Sequence, residues 1–485
     1  MSSPAAPSRR RARPTRSRAD TTVVSAVVLV VLAAVAVVLT PSSGPSQGKA
    51  AVQTTGQLVS SALLGCPGGA PPTKGSTTVA VGSAPAEVDP ALTSGGQVRA
   101  GATATSSRPV GLARGRLVAL TGASAYVAAT GALAPGLFGF RADDARSTLA
   151  ATACPAPRAQ WWFAGAGAGL DHASTLELTN VDTGPAVVNV SVLGPNGPVD
   201  TVGTEGIQIA PGTRRRVELS SIAPQTDELA LSVHADRGRV VAAMTDAFAP
   251  KQGGDQGQEW LAGTDRPSRV LRLSGVAAKA DTRTLFVANP GDLEAVVHVQ
   301  IAGRSGTFAP VGLRDVTVAP GTVQQVDLGS LLSRKEAVGL RITSNLPVVG
   351  SLRSVSGSDD SYAVPVLPLT GSAAAPLLTG ARSTVEVTAG GRPAQVRVTA
   401  YDGRGRRIDG ATLDVQGTGT TAWSPGRKAV AALKADGYVL VTPTHGHVHG
   451  AVTYEANTSG AGTAAVPLVA LPIRLVRPTV RPALY

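Results

Sequence analysis

The side chains most able to do chemistry in this chain are few and scattered. His445, His447 and His449 form an H-x-H-x-H run. On an extended strand such residues share a face about 7 Å apart, so two of the imidazoles could ligate one metal ion. No other His or Cys lies close in sequence, and Glu455 is the nearest carboxylate to suggest. An exposed hairpin rich in Thr, Gly and His is the plainer account. Gly165-Ala166-Gly167-Ala168-Gly169 has the look of a phosphate loop. Such a loop needs a strand before it and a helix N-terminus after it, and here a β-like run follows, so a linker or bulge is expected. Asp359-Asp360, with Asp255 and Asp265, could offer carboxylates to Ca2+ between domains. Their spacing fits no known calcium loop, and solvated turn residues are the expectation. Trp260 and Trp423 fall near predicted loops, where an exposed ring can stack on a sugar. Core filling or packing between domains is the commoner fate of such rings.

Nothing here amounts to a catalytic signature. There is no H-E-x-x-H run and no Cys/His pairing that would make a nucleophile. The chain therefore reads as non-enzymatic and without a cofactor. Its net charge of +12 does not read as a nucleic-acid footprint either. Six of the arginines crowd into residues 1–20 against Asp20 alone, and the remaining excess is dispersed. A dispersed excess of Arg is a solvated surface rather than a DNA-binding patch.

The elements that would position these residues are strands, and the chain repeats them. Displaced by 109 positions, the sequence matches itself without a gap. Thr175, Leu176 and Asn180 fall on Thr284, Leu285 and Asn289, and the Ala-Pro-Gly-Thr run at 210–213 falls on 319–322. A period of this length marks a whole folding unit used twice, and it suits a β-sandwich domain. Val188, Val190 and Val192 alternate with polar residues, the pattern of a sheet with one dry face. Asn196-Gly197 and Pro211-Gly212 supply turns. A weaker third copy runs through Val385, Val387, Val396, Val398, Val439 and Val441. The Pro-rich exits from Ala363 to Pro368 and from Ala465 to Pro472 suit edge segments that end a domain, because Pro cannot donate within a central strand.

Upstream, residues 1–20 read as a disordered basic tail. Residues 21–40 carry an apolar run from Val23 to Leu39, broken only by Ser25. Seventeen helical residues span about 26 Å, near the thickness of a bilayer core. The flanking arginines would hold that end in the cytoplasm and place the rest outside. A cleaved signal peptide, with Ala34-Val35-Ala36 as the cleavage pattern, is the alternative; the long run favours an uncleaved anchor. Residues 41–59 read as a flexible linker. Residues 60–157 form a small β region bracketed by Cys66 and Cys154, the chain's two cysteines. An even count outside the membrane suggests one disulfide, and two buried thiols are the alternative. The remaining expected domains are residues 158–266, 267–370 and 371–485, one per repeat.

Several of these residues together resemble a known family. Cys66-Pro67-Gly68 and Cys154-Pro155 are followed by Trp162-Phe163-Ala164-Gly165, by Leu176-x-Leu178-x-Asn180 and its second copy from Leu285 to Asn289, and by the Ala-Pro-Gly turn. The chain from about Cys66 onward is similar to a family of actinobacterial, membrane-anchored extracytoplasmic proteins, domain-of-unknown-function family 5719. The resemblance implies an envelope location and a β-rich ectodomain, and carries no catalytic residues. The expected fold is thus mainly β: one N-terminal transmembrane helix followed by tandem immunoglobulin-like β-sandwiches. The expected role is a structural or interaction scaffold in the cell envelope. A glycan-binding module contacting the wall through Trp260 or Trp423, and an accessory subunit of a membrane glycosyltransferase, are the alternatives.

Overall fold

A computed structural model describes residues 56–69, 75–122, 125–145, 148–249, 257–457 and 462–475. Residues 1–55, which include the expected basic tail, membrane helix and most of the linker, lie outside this set. Among the described residues no helix is long and apolar enough to cross a membrane. The described chain is mainly β, and every strand pairing in it is antiparallel.

The strands fall into four similar two-layer units. In the second unit one layer runs Arg214–Glu218, His172–Thr179, Val241–Phe248, Gly257–Leu261. The other runs Gly197–Val199, Ala186–Gly194, Leu229–Arg237, Gln160–Ala166. Between them Leu176, Leu178, Val188, Val190, Leu231 and Val233 form one core. Ala186–Gly194 shows why the sequence folds this way: Val188, Val190 and Val192 are buried while the residues between them are not. The hairpin after it closes through Pro195 and Asn196, with Gly194 opposite Gly197. In the third unit the 18-residue strand Gly339–Ser356 takes part in both layers. Val323–Asp327, Thr282–Ala288, that strand and Asp359–Ala363 repeat the first layer's order.

The 109-residue period is reproduced at the level of single hydrogen bonds. Asn180 Nδ2 donates to the carbonyls of Gly184 (2.8 Å) and Ile209 (2.9 Å). Asn289 Nδ2 donates to those of Leu293 (2.7 Å) and Val318 (3.0 Å). Both asparagines tie the turn after them to the distant Ala-Pro-Gly turn, where Gly212 and Gly321 take φ of 70° and 67°, a region open to Gly at little cost.

The region expected to be a small disulfide-tied module is built on the same plan as the repeats. Leu117–Ala119, Gly75–Ser83, Leu137–Ala145 and Leu149–Ala153 form one layer in the same order, and Ser61–Gly65, Tyr126–Thr130, Gln97–Gly101 and Arg108–Val110 form the other. The Cys66–Cys154 disulfide is present and is buried in the core between these layers. The fourth unit repeats the pattern with Thr420–Trp423, Ala381–Ala389, Val448–Ala456 and Thr463–Pro467.

In all four units the last strand forms the edge of its layer, and these edges pack together. Leu149–Ala153 packs against Gly257–Leu261 and Thr463–Pro467, and Asp359–Ala363 packs against the same two strands, which completes a closed cycle. Neighbouring units also share faces. Trp161 and Phe163 point into the second unit's core, whereas Trp162 and Ala164 on the opposite face pack with Phe286 and Val349 of the third. The first and fourth units join through backbone: Val59 N donates to Ile473 O (3.0 Å) and Leu475 N to Gln57 O (2.9 Å). The residues from Gly56 onward accordingly gather into one compact unit rather than a string of separate beads.

Candidate functional site: a buried polar centre

The cycle of edge strands encloses carboxyl groups. Asp359 Oδ2 accepts hydrogen bonds from Leu149 N (3.0 Å) of the first unit and Thr463 N (2.8 Å) of the fourth. One side chain of the third unit therefore ties two others. Glu259 Oε1 accepts from Ala151 N (3.2 Å) across the same centre and from Trp260 N (2.6 Å) beside it. Asp360 is fully buried, and among the described residues neither of its carboxyl oxygens has a hydrogen-bond partner. Burial pushes the Asp359 carboxyl up to about 8. Burial, and then the charges of Asp359 and Asp360, lift Glu259 well above the ordinary range. Asp360 is lifted by burial and then by Asp246 and Asp359. Moving a charged carboxylate out of water costs several kcal/mol, so groups packed this way are held as neutral acids.

A second cluster adjoins the first, where the second and third units meet. Asp246 lies 3.1 Å from Nε2 of His172, accepts from Ser174 Oγ, and lies 2.6 Å from the Tyr362 hydroxyl. Burial works against its charge, but His172, Ser174 and Tyr362 together hold it below the ordinary carboxylate range. Arg353 completes the cluster. Its guanidinium lies 3.7 Å from the Phe248 ring centre, the geometry of a cation stacked on an aromatic face, and its Nη1 lies 3.3 Å from both ring nitrogens of His172. Burial lowers the Arg353 affinity for its proton, while Tyr362, Asp246 and Asp360 raise it by more, and the group stays cationic.

The residues of an acid–base relay are present, but the arrangement cannot run one. Nε2 of His172 faces Asp246, and Nδ1 faces the Asp227 carbonyl at 3.1 Å. Ser174 points at the carboxylate and not at the imidazole. With 2% of His172 exposed, no ring nitrogen is left to take a proton from a substrate. What these side chains do is join units.

The family model described as "Family of unknown function (DUF5719)" matches residues 116–426. The chain belongs to that family. The DUF5719 segment contains the whole of the second and third units, and with them every side chain of the buried centre named above. No curated protein matches the chain. Among solved structures, a chain from infectious bursal disease virus, Gx strain, is 10% identical over 88% of this chain and 90% of its own, with a TM-score of 0.11, too low to bear on the fold.

Within the DUF5719 segment, Trp260 is not placed to meet a sugar. It is 3% exposed, its Nε1 donates to Asp143 Oδ2 (3.1 Å), and Arg141 lies over its ring. Gly69 covers it closely, since a Cβ there would stand 2.8 Å from the ring. Of the two roles weighed for Trp260, glycan contact does not fit this burial, and packing between domains, the commoner fate, is what is seen at the joint between the first and second units. Trp423 is half-buried against the fourth unit's core, on the edge strand Thr420–Trp423.

Asp359 and Asp360, expected as solvated turn residues, lie on a strand and are buried. The turn before them is Gly357 and Ser358; beyond their own hairpin partners, strands from the other three units pack over the two aspartates. Asp265 is an exposed partner of Arg158, and Asp255 lies outside the described residues. The three histidines do not line one strand face. His445 ends one strand, and Val448–Ala456 begins after the turn at Gly446, so the run is split by a hairpin. His445 and His447 are exposed, whereas His449 is buried with Nδ1 3.0 Å from the Val366 carbonyl. Burial pushes His449 down to about 4. Among the described residues no cluster of His, Cys, Asp or Glu could hold a metal ion. The glycines at 165–169 form a bulge, as expected: the register slips between Leu229 and Ala230, with Gly165 at φ 88°.

His172, Asp246 and Arg353 were invisible to motif reading because their partners lie far apart in sequence. One signal was available. The hairpin from Leu352 to Ala363 places Asp359, Asp360 and Tyr362 on the strand that ends a repeat unit, where a solvated turn would not carry a Tyr.

Proposed function

We propose that this protein is a non-enzymatic scaffold of the cell envelope, anchored by residues 21–40 with its β-rich part outside the cytoplasm. The observation that carries this reading is the internal use of its reactive side chains. His172, Asp246, Arg353, Tyr362, Glu259 and Asp359 are spent on joining repeat units, which stiffens a body without opening a site. The Cys66–Cys154 disulfide supports an oxidising compartment. The apolar run and its flanking arginines support the anchor, and the family resemblance supports an actinobacterial envelope. The units read as immunoglobulin-like sandwiches whose outer surfaces contact another protein.

Crosslinking in native membranes tests this, with the natural anchor and with residues 21–40 replaced by an unrelated membrane helix. A partner captured equally by both forms assigns the contact to the repeats. A partner lost on swapping the helix refutes the scaffold reading and points to an accessory subunit docked through its anchor. Trp423 keeps the glycan alternative open, because its ring is partly exposed at a sheet edge. Retention on isolated cell wall that disappears with Trp423→Ala would favour that alternative over the scaffold.

A further inference from the structure

Where the first and fourth units meet, they leave a cleft of about 780 Å3. Drug-sized ligands occupy cavities of roughly 300–1,000 Å3, often at the junction of domains. One wall is presented by Thr78, Ala80, Leu117 and Ala119 of the first unit. The other comprises the turn from Asp402 to Arg406 and the stretch from Ala432 to Asp436.

The turn is held rigidly across the seam. Leu117 N donates to Gly403 O (2.9 Å), and Gly405 at φ 80° packs so closely that a Cβ would stand 2.4 Å from Gly115 O. Asp402 Oδ1 accepts from the N–H groups of Arg404 (3.0 Å) and Arg406 (2.9 Å), and its Oδ2 accepts from Arg406 Nε (3.1 Å). Asp436 accepts from Thr379 N (2.9 Å) and Oγ1 (3.0 Å). Both acidic side chains at the cleft are thus already engaged, and Arg406 with them. Two cations are not. Arg404 and Lys434 are exposed at the cleft, and among the described residues neither side chain has a partner. The backbone that carries Arg404 is fixed on either side by Gly403 and Gly405.

We propose that this cleft binds a ligand carrying a phosphate group. Arg404 supplies a forked donor and Lys434 a point charge, a pairing suited to a group of nearly two negative charges. The neutral part of the ligand lies along the wall from Thr78 to Ala80 and from Leu117 to Ala119. A phosphorylated sugar and a phosphoglycerol headgroup present the same chemistry, and the test separates them.

The full chain, in a phosphate-free polyoxyethylene detergent, is titrated calorimetrically with glucose 1-phosphate, with glycerophosphoglycerol and with glucose. Saturable binding of at least one phosphate probe and none of glucose is expected. Glucose 1-phosphate alone would indicate a soluble sugar phosphate, and glycerophosphoglycerol alone a lipid headgroup. Arg404→Ala combined with Lys434→Ala should weaken binding about tenfold or more, because two charge-assisted hydrogen bonds are lost. Its thermal melt should be unchanged, since both side chains are exposed and unpaired. Arg382→Ala, an exposed arginine on Ala381–Ala389, is the control and should bind as the parent does. Absence of saturable binding by both phosphate probes overturns the proposal. So does a double variant that binds like the parent, or an Arg382→Ala variant that weakens equally.

Discussion

Replacing Asp359 by Asn should stabilise the folded chain at alkaline pH. Burial raises this carboxyl from its ordinary 3.8 to about 8. The folded chain therefore keeps a proton that the unfolded chain releases. Stability is fully present below about pH 4 and is lost as pH rises through about 8. Between about pH 6.5 and 9 the loss from this one group is about 2 kcal/mol, at about 1.4 kcal/mol per pH unit until the folded group itself titrates. Asn keeps a carbonyl oxygen where Oδ2 accepts from Leu149 N and Thr463 N, so the tie between units survives without the proton. Loss of the Asp359 charge also relieves Glu259 and Asp360, both of which it pushes upward. Glu386, raised by burial to about 8, adds a slope of the same sign that remains in the variant. His449 acts in the opposite sense: with its folded value near 4, its contribution is present above about 6.5 and is lost on acidification, so it is silent in this window. The assay is urea unfolding of the parent and Asp359→Asn at several pH values from about 6.5 to 9, followed by circular dichroism. The parent's midpoint should fall across the range and the variant's should fall less, with the variant the more stable at the alkaline end. Parallel profiles, or a variant weaker at every pH, would refute the claim that Asp359 is held as a neutral acid.

Other perturbations probe separate joints. Trp260→Ala should cost about 3–5 kcal/mol, as loss of a buried aromatic does, and should leave wall retention unchanged; a lowered retention at full stability would restore the sugar-contact role. Arg353→Met should destabilise by about 3–5 kcal/mol, because the buried, charged Asp246 loses the cation beside it; limited proteolysis should then cut more readily between the second and third units, and unchanged cleavage would count against the joint. Asn180→Ala and Asn289→Ala should cost similar amounts, about 1–3 kcal/mol each, in urea titrations, since each loses its side-chain bonds to the carbonyls of both turns; a large disparity would show that the repeats are not energetic equivalents. Cys66→Ser with Cys154→Ser leaves the loop open between residues 88 positions apart and should lose up to about 4–5 kcal/mol, while the parent in reductant should match it.

The parts of this molecule that were legible from sequence are those set by neighbours along the chain. Alternation placed Val188, Val190 and Val192 in a core, and the repeated Asn and Ala-Pro-Gly residues placed two equivalent turns. The first unit was harder to see as a relative of the others, because its strands match theirs in order and partner but not in residue identity. The buried centre was not legible at all. Asp359 and Asp360 look like any surface pair until strands from the first, second and fourth units close around them. The partners of Trp260 were hidden for the same reason: its cover comes from Gly69, Arg141 and Asp143, more than a hundred residues upstream.

The pairing of Leu58 with Arg474 has a bearing on biosynthesis. Arg474 also donates to the carbonyl of Gly56 (2.7 Å), across 418 positions, and binds Asp89. On a ribosome working from one end to the other, the strand that opens the first unit must wait for Arg474, more than four hundred residues later, to emerge. Until then its flank is an uncovered edge, open to neighbouring chains. The same adjacency lets Gln57 and Leu475 be spliced by a short bridge and the chain reopened at the proline-rich crossing near Pro368, giving a permuted protein that would be made with its seam already shut.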